Sequence, residues 1–253
     1  MRGLRGLCAV AVLGLLTACG QPPEFRTALS EPGTAEYDPR ILGQWYDPKD
    51  KGIFIKIWKT WGGGKNRHNL GISAVAVGRK GGGGMSFEAH ASAIDGDLYY
   101  NVKRKQTAGG LDYTAPEEKP GYIILRVFHL TPDVMLVCGL LALPKGGGPK
   151  SWRKWYSQVL AGSGLTADFA EVAPRLNGNR LSENQPDKML HTLVEGSRED
   201  LIDFVTANPA EHFRGMLVLA RFGTTDPVAH DRAMMRTLID DRADRCNVRR
   251  GLR

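Results

Sequence analysis

Between Ile41 and about Leu143, short apolar runs follow one another with glycine, proline or aspartate between them and no helix-length segment to separate them. Parallel strands need a crossover of a dozen or more residues, so runs this closely spaced pair with their chain neighbours in antiparallel fashion. Seven runs are recognisable: Ile41 to Tyr46, Ile53 to Trp58, Leu70 to Val77, Met85 to Ala93, Leu98 to Val102, Tyr122 to Leu130 and Val134 to Leu143. Asp95-Gly96 between the fourth and fifth supplies the positive φ angles of a type I′ turn, the strongest hairpin signal in the chain. Thr131-Pro132-Asp133 punctuates the last two runs. So many antiparallel strands form a sheet that curls or closes. The expected fold is mainly β, an antiparallel up-and-down barrel or half-barrel with C-terminal helices.

Alternation then sorts side chains by face. In Ile53 to Trp58, the residues Phe54, Lys56 and Trp58 share one side and Ile53, Ile55 and Ile57 the other. The strand aromatics Phe54, Trp58, Phe87, Tyr99, Tyr122 and Phe128 are the candidates for lining a barrel interior and touching an apolar ligand; they suit a solid core equally well. A ligand-binding interior needs a cavity on the order of 300 Å³. A filled core leaves docking surfaces instead.

Past Gly146-Gly147-Gly148-Pro149 the period changes. Trp152, Trp155, Tyr156, Val159 and Leu160 recur at helical spacing, which predicts a helix from Ser151 to Leu160 stopped by Gly162 and Gly164. Ser197 and Asp200 resemble a capping pair before a helix that carries Leu201, Phe204 and Val205, with Asn208-Pro209 closing it. Asp226-Pro227 offers a cap and a first helical position for a further helix facing inward through Met234, Met235, Leu238 and Ile239. The region from residue 165 onward is expected to be mainly helical. Arg242, Arg245, Arg249, Arg250 and Arg253 give it a basic tail.

Catalytic and metal signatures are missing from the pattern. There is no Gly-x-Ser-x-Gly elbow, no Cys-x-x-Cys and no pair of histidines at ligand spacing; Ser151 and Lys154 do stand at Ser-x-x-Lys spacing at the start of the predicted helix. The runs Gly62 to Gly64, Gly81 to Gly84 and Gly146 to Gly148 lack the Lys-Ser/Thr and helix start of a phosphate-binding loop, and read as hairpin loops. The pattern disfavours an enzyme, with an envelope hydrolase as a third and trailing reading, and no cofactor or metal is expected. A net charge of +7 is modest for 253 residues, and two of those charges belong to Arg2 and Arg5 at the very start. Such an excess fits a mixed solvated surface or attraction to anionic lipids and glycans, not a nucleic-acid partner.

Arg2 and Arg5 precede an apolar stretch from Leu7 to Leu16, too short to span a bilayer, for which about 20 residues are needed, and small residues follow it. This is the form of a secretory signal. Leu16-Thr17-Ala18-Cys19 resembles the lipobox of bacterial lipoproteins, and the resemblance implies cleavage before Cys19 and acylation of that cysteine with three chains, including palmitate-type acyl groups. Two chains already anchor a protein stably. Gly20, where Asp would favour inner-membrane retention, implies the outer membrane, with the protein facing the periplasm. The expected organisation is a signal peptide over 1–18, a lipidated tether over 19–38, a barrel-like domain with a closing helix over 39–164 and a helical region over 165–253. With Cys8 in the signal and Cys19 acylated, Cys138 and Cys246 remain. An oxidising compartment permits a bridge, and the sequence leaves open whether they pair.

Gly43-Gln44-Trp45 at the head of the β region resembles the Gly-x-Trp motif of lipocalins and related calycin barrels. The resemblance implies that Gly43 lets the chain turn into the first strand and that Trp45 closes one end of the barrel beneath a basic side chain from near the last strand, for which Arg153 is the candidate. A tryptophan in an ordinary β core is the plain alternative. The expected function is binding or carriage of an apolar small molecule or lipid by a membrane-anchored barrel. The alternative is an envelope interaction or assembly protein with a filled β core, docking a protein or an anionic envelope component.

Overall fold

The computed structural model of the chain describes residues 23–48, 53–62, 64, 67–78, 81–105, 111–112, 121–142, 149–172, 175–176, 179–180, 189–207 and 209–223. The strands are β1 (Glu24–Phe25), β2 (Gly43–Tyr46), β3 (Ile53–Lys59), β4 (Leu70–Gly78), β5 (Gly81–Ile94), β6 (Asp97–Arg104), β7 (Leu111–Asp112), β8 (Tyr122–Leu130), β9 (Val134–Leu140), β10 (Thr166–Val172), β11 (Arg175–Leu176), β12 (Asn179–Arg180), β13 (Met189–Glu195) and β14 (Phe213–Arg221). The helices are α1 (Pro149–Val159), α2 (Arg198–Ala207) and the single turn α3 (Pro209–His212).

Eight of these strands close into an antiparallel barrel in the order β8-β6-β5-β4-β3-β2-β14-β9, with β9 returning to β8. Neighbours in the barrel are sequence neighbours everywhere except at β14, which fits between β9 and β2 and removes the free edge each would present. Asp95 (φ 52°) and Gly96 (φ 80°) form the tight connection that sets Ile94 opposite Asp97, as the sequence predicts. The glycines from Gly81 to Gly84 extend β5 against β4 rather than forming the expected loop. Because glycine is permissive, a strand ladder accommodates it at an entropic cost only.

The seven strands expected from sequence are joined by an eighth, β14, in the region expected to be helical. Among the described residues from 165 to 223, β10, β13 and β14 are strands. The helix predicted around Leu201, Phe204 and Val205 is α2, and these three residues are its buried ones. Its start carries the expected cap: the Ser197 hydroxyl donates to Asp200 Oδ2 at 2.7 Å and accepts from the Asp200 N–H at 3.0 Å. The helix proposed after Asp226 lies outside the described residues.

Residues 23–38, expected as part of a tether, are packed. Phe25 and Leu29 are 1 % exposed. Strand β1 pairs antiparallel with β8 at Tyr122 and parallel with β13, and β10 adds to β13, so a short sheet leans off the barrel at β8. Strands β7, β11 and β12 form a separate small sheet. The expected signal peptide, residues 1–18, and Cys19 lie outside the described residues. No described helix is long and apolar enough to cross a membrane.

Two cores result. One fills the barrel and includes Trp45, Ile53, Leu70, Phe87, Val102 and Val137. The other lies outside the wall of β6, β8, β9 and β14, where Tyr99, Ile124, Cys138 and Phe213 meet Tyr156 and Leu160 at the end of α1 and Phe204 and Val205 of α2.

Candidate functional site: an apolar cavity in the barrel

Strand parity decides what faces the barrel axis. On β3 the inward residues are Ile53, Ile55 and Ile57, opposite Ala76, Ala74 and Ile72 of β4. On β6 they are Tyr100 and Val102, on β8 Ile123, Leu125 and Val127, on β9 Met135 and Val137, and on β14 Leu217 and Leu219. Ile55 and Ile57 of β3 and the β6, β8, β9 and β14 residues just named, with Ile41, Leu70, Ile72, Ala74 and Phe87, line a cavity of about 130 Å³. The small Ala74 helps to leave the space. Among the described residues that line it none is charged, and Tyr100 carries the single hydroxyl.

That hydroxyl is turned to the backbone, accepting from the Asp38 N–H at 3.4 Å. Burial pushes the Tyr100 phenol far above its ordinary range, so it stays neutral. With nothing charged to hydrate, the space suits an apolar occupant. Its volume falls below the roughly 300 Å³ at which drug-sized ligand sites begin, and is close to an engineered apolar cavity of about 150 Å³ that stays dry and binds benzene. The occupant is therefore small or slender.

One end of the barrel is closed by the segment preceding β2. A 3₁₀ turn at Pro39–Ile41, capped by Asp38, places Ile41 in the cavity wall. The Trp45 indole, fully buried, donates to Ile41 O at 2.8 Å. Above its ring stands the Arg221 guanidinium, 4.4 Å from the centroid. Arg221 also donates to Leu42 O at 2.9 Å, to Arg40 O at 2.6 Å and to Pro132 O. One side chain from the last strand thus ties the plug, the first barrel strand and the β8–β9 turn together. Gly43 permits this approach: it has φ 134°, and a Cβ there would lie 2.5 Å from Arg221 Nη1. The connections that follow β2, β4, β6 and β9 at the other end fall in residues outside the description.

Of the aromatic candidates read from sequence, Phe87 lines the cavity and the others do not. Phe54 points outward and packs edge-on against Phe222, with centroids 5.9 Å apart. Trp58 also points outward, 39 % exposed, its ring lying over Gly71 where a Cβ would overlap it. Tyr99 and Phe128 belong to the outer wall, where Arg126 sits over both rings. Tyr122 faces His90 and Lys103 on the same outer side. Arg153, the suggested partner of Trp45, instead lies over Phe169 on β10. Its place is taken by Arg221. A nine-residue apolar stretch, Phe213 to Arg221, ending in a basic residue and followed by Gly223, is the signal that identifies β14 as the last strand.

A second polar arrangement fixes the N-terminal segment. Asn101 on the outer face of β6 accepts from the Leu29 N–H at 2.8 Å and donates to Ser92 Oγ at 2.7 Å, and Ser92 and Ser30 share a 2.6 Å hydroxyl contact. His90 lies 2.9 Å from Ser30 O, and burial holds its imidazole below the ordinary pKa. Farther along, buried Glu24 accepts from the Gly121 N–H at 2.7 Å and lies 3.7 Å from His191 Nε2. Burial alone would raise the Glu24 carboxyl, and His191, Gly121 and Arg104 together outweigh it and hold it below its usual value. Among the described residues, no group of three or more His, Cys, Asp or Glu is placed to hold a metal ion.

The fold and cavity define an eight-stranded antiparallel barrel with one plugged end and an apolar interior. No protein-family model matches the chain, and neither the curated proteins nor the solved structures provide a match.

Proposed function

We propose that this chain is a membrane-anchored envelope lipoprotein whose calycin-like barrel holds a small apolar molecule or a single hydrocarbon chain without acting on it chemically. The observation that carries this reading is the cavity of about 130 Å³ inside a closed barrel, with mainly aliphatic walls and no charged residue among the described residues that line it. Each methylene moved into such a space contributes about 0.8 kcal/mol, so a few suffice for measurable binding. The calycin-like reading is supported by Gly43, Trp45 and Arg221, which stand in the relation that the Gly-x-Trp resemblance implies.

The anchor in this reading is Cys19, with cleavage of residues 1–18 and placement at the outer membrane facing the periplasm. Since Pro23 and Glu24 are buried, only residues 20–22 separate the acylated cysteine from the domain, a reach of roughly 14 Å at about 3.5 Å per residue. The barrel then sits against the membrane in which an apolar ligand partitions. A Cys19→Ala substitution should release the protein from the membrane fraction and leave the uncut precursor; a membrane-bound protein with an unchanged precursor-to-mature pattern contradicts the anchor.

Ligand carriage is tested by native mass spectrometry of protein purified gently from cells, followed by extraction of what it holds. The expected result is a discrete apolar mass that is lost in Ala74→Leu, which fills the cavity. The second reading, docking of a protein or anionic envelope component, draws on the outward Trp58, Val75 and Phe222, which are 39 %, 38 % and 57 % exposed. An empty barrel that co-purifies with a stoichiometric protein partner would favour it.

A further inference from the structure

We infer that the molecule held in the barrel is a slender hydrocarbon carrying one uncharged acceptor oxygen, a carbonyl or an ether, and that the Tyr100 hydroxyl at the plugged end of the cavity donates to it. This rests on the apolar-binding reading given above and names the class of ligand that the same cavity takes.

The hydroxyl is only half used. Tyr100 lines the cavity and is 5 % exposed. Its oxygen accepts from the Asp38 N–H at 3.4 Å, longer than the usual range of roughly 2.7–3.2 Å. Its own hydrogen meets no acceptor among the described residues. Burial keeps the phenol protonated, so that hydrogen is present. The neighbouring plug does not take it up, because every carbonyl from Asp38 to Leu42 already accepts from another group. Asp38 O and Pro39 O accept from the N–H groups of Ile41 and Leu42, Ile41 O accepts from Trp45, and Arg40 O and Leu42 O accept from Arg221. A buried donor left unpaired carries its full desolvation penalty.

The rest of the wall decides what can pair with it. Every other described lining residue is apolar. A buried water needs about two to four polar partners, and this wall offers one, so water is a poor occupant. A carboxylate or an ammonium would be a buried charge with no opposite charge among the described lining residues, which costs far more than a neutral oxygen. A plain hydrocarbon leaves the donor unmet. A ketone, aldehyde or ether oxygen accepts and has no hydrogen of its own to satisfy, which suits a wall with one donor to give. Register then sets the orientation. Tyr100 lies opposite Leu125, and the next inward pair away from the plug is Val102 and Ile123. The oxygen sits at the Tyr100 hydroxyl near Asp38, and the hydrocarbon runs past Val102 and Ile123.

The test compares methyl butyl ketone with heptane, which has the same number of heavy atoms, on the full-length folded protein and its Tyr100→Phe variant. Affinities are read from the methyl shifts of Ile123 and Val137. The ratio of ketone to heptane affinity should fall about fivefold in the variant, the size of one neutral hydrogen bond. On wild-type protein the carbonyl stretch of the bound ketone should lie at lower frequency than in liquid heptane. This reads the same bond without a substitution, so it decides the matter even where the variant folds poorly. An unchanged ratio in folded Tyr100→Phe, or a stretch equal to that in heptane, would overturn the inference and, with both compounds bound, leave the apolar-binding reading intact. Saturable binding of neither compound to the wild-type protein would overturn both.

Discussion

The two faces of the barrel wall are both apolar and are filled differently. Inside, aliphatic side chains such as Ile55, Ile72, Leu125 and Leu217 stand around an open space and keep part of their surface accessible. Outside, Tyr99, Tyr156, Phe204 and Phe213 are packed to 5 % exposure or less, with Tyr99 and Phe213 rings 5.6 Å apart. Large flat rings complete the contact between strands and helices, whereas branched aliphatic chains of similar height leave a gap at the centre of a closed barrel. The outer core is the more completely packed, and the inner one leaves the space in which the proposed ligand would sit.

That division is broken most strongly by Tyr156→Ala. The ring is fully buried, its hydroxyl donates to Leu141 O at 3.1 Å, and its loss should cost about 3–5 kcal/mol, read as a lower denaturant midpoint. Next comes Asn101→Leu, which strands the buried Leu29 N–H and takes one of two partners from the Ser92 hydroxyl; the expected cost is about 2–3 kcal/mol, with faster proteolysis around residues 25–35. Arg221→Met removes the cation over Trp45 and the bonds to the plug, and should cost about 1–2 kcal/mol with a red shift in tryptophan emission.

Acid should weaken the outer side specifically. Burial holds His90 and His212 below their ordinary 6.5, so each contributes stability as the neutral imidazole. The unfolded chain takes up the proton first, and this contribution, complete above pH 6.5, is lost as pH falls through the folded values. The urea midpoint should therefore be lower at pH 5 than at pH 7.5, and His90→Gln should narrow the difference. Smallest in stability is Ala74→Val inside the barrel, expected to change it by less than about 1 kcal/mol because the added methyls enter space. The same substitution should weaken apolar-probe binding severalfold.

Much of the barrel was legible because its hairpins are local. Asp95-Gly96 and Thr131-Pro132-Asp133 mark turns that set strand register on their own, and the helical spacing of Trp152, Trp155 and Tyr156 marks α1. The eighth strand was hidden by distance: β14 is separated from β9 by the whole segment carrying α1, β10, β13 and α2, and nothing local says that Phe213 to Arg221 pairs with Val134 to Leu140. The inward face was misread for a related reason. All seven residues of β9 are buried, and on β6 Tyr99 and Tyr100 are buried on opposite faces, so alternation of polarity no longer reports which side is the interior. The strongest aromatic signals consequently belong to the shell and not to the cavity.

Methyl-detected NMR of the folded protein, titrated with benzene and with octane, bears most directly on the claim that the barrel interior receives a small apolar molecule. The account predicts saturable shifts at Ile57, Leu70, Val137 and Leu219, with Leu141, Leu160 and Val205 of the outer core unmoved. Methyl signals that stay fixed at all of these positions, or that drift together without saturating, would contradict it.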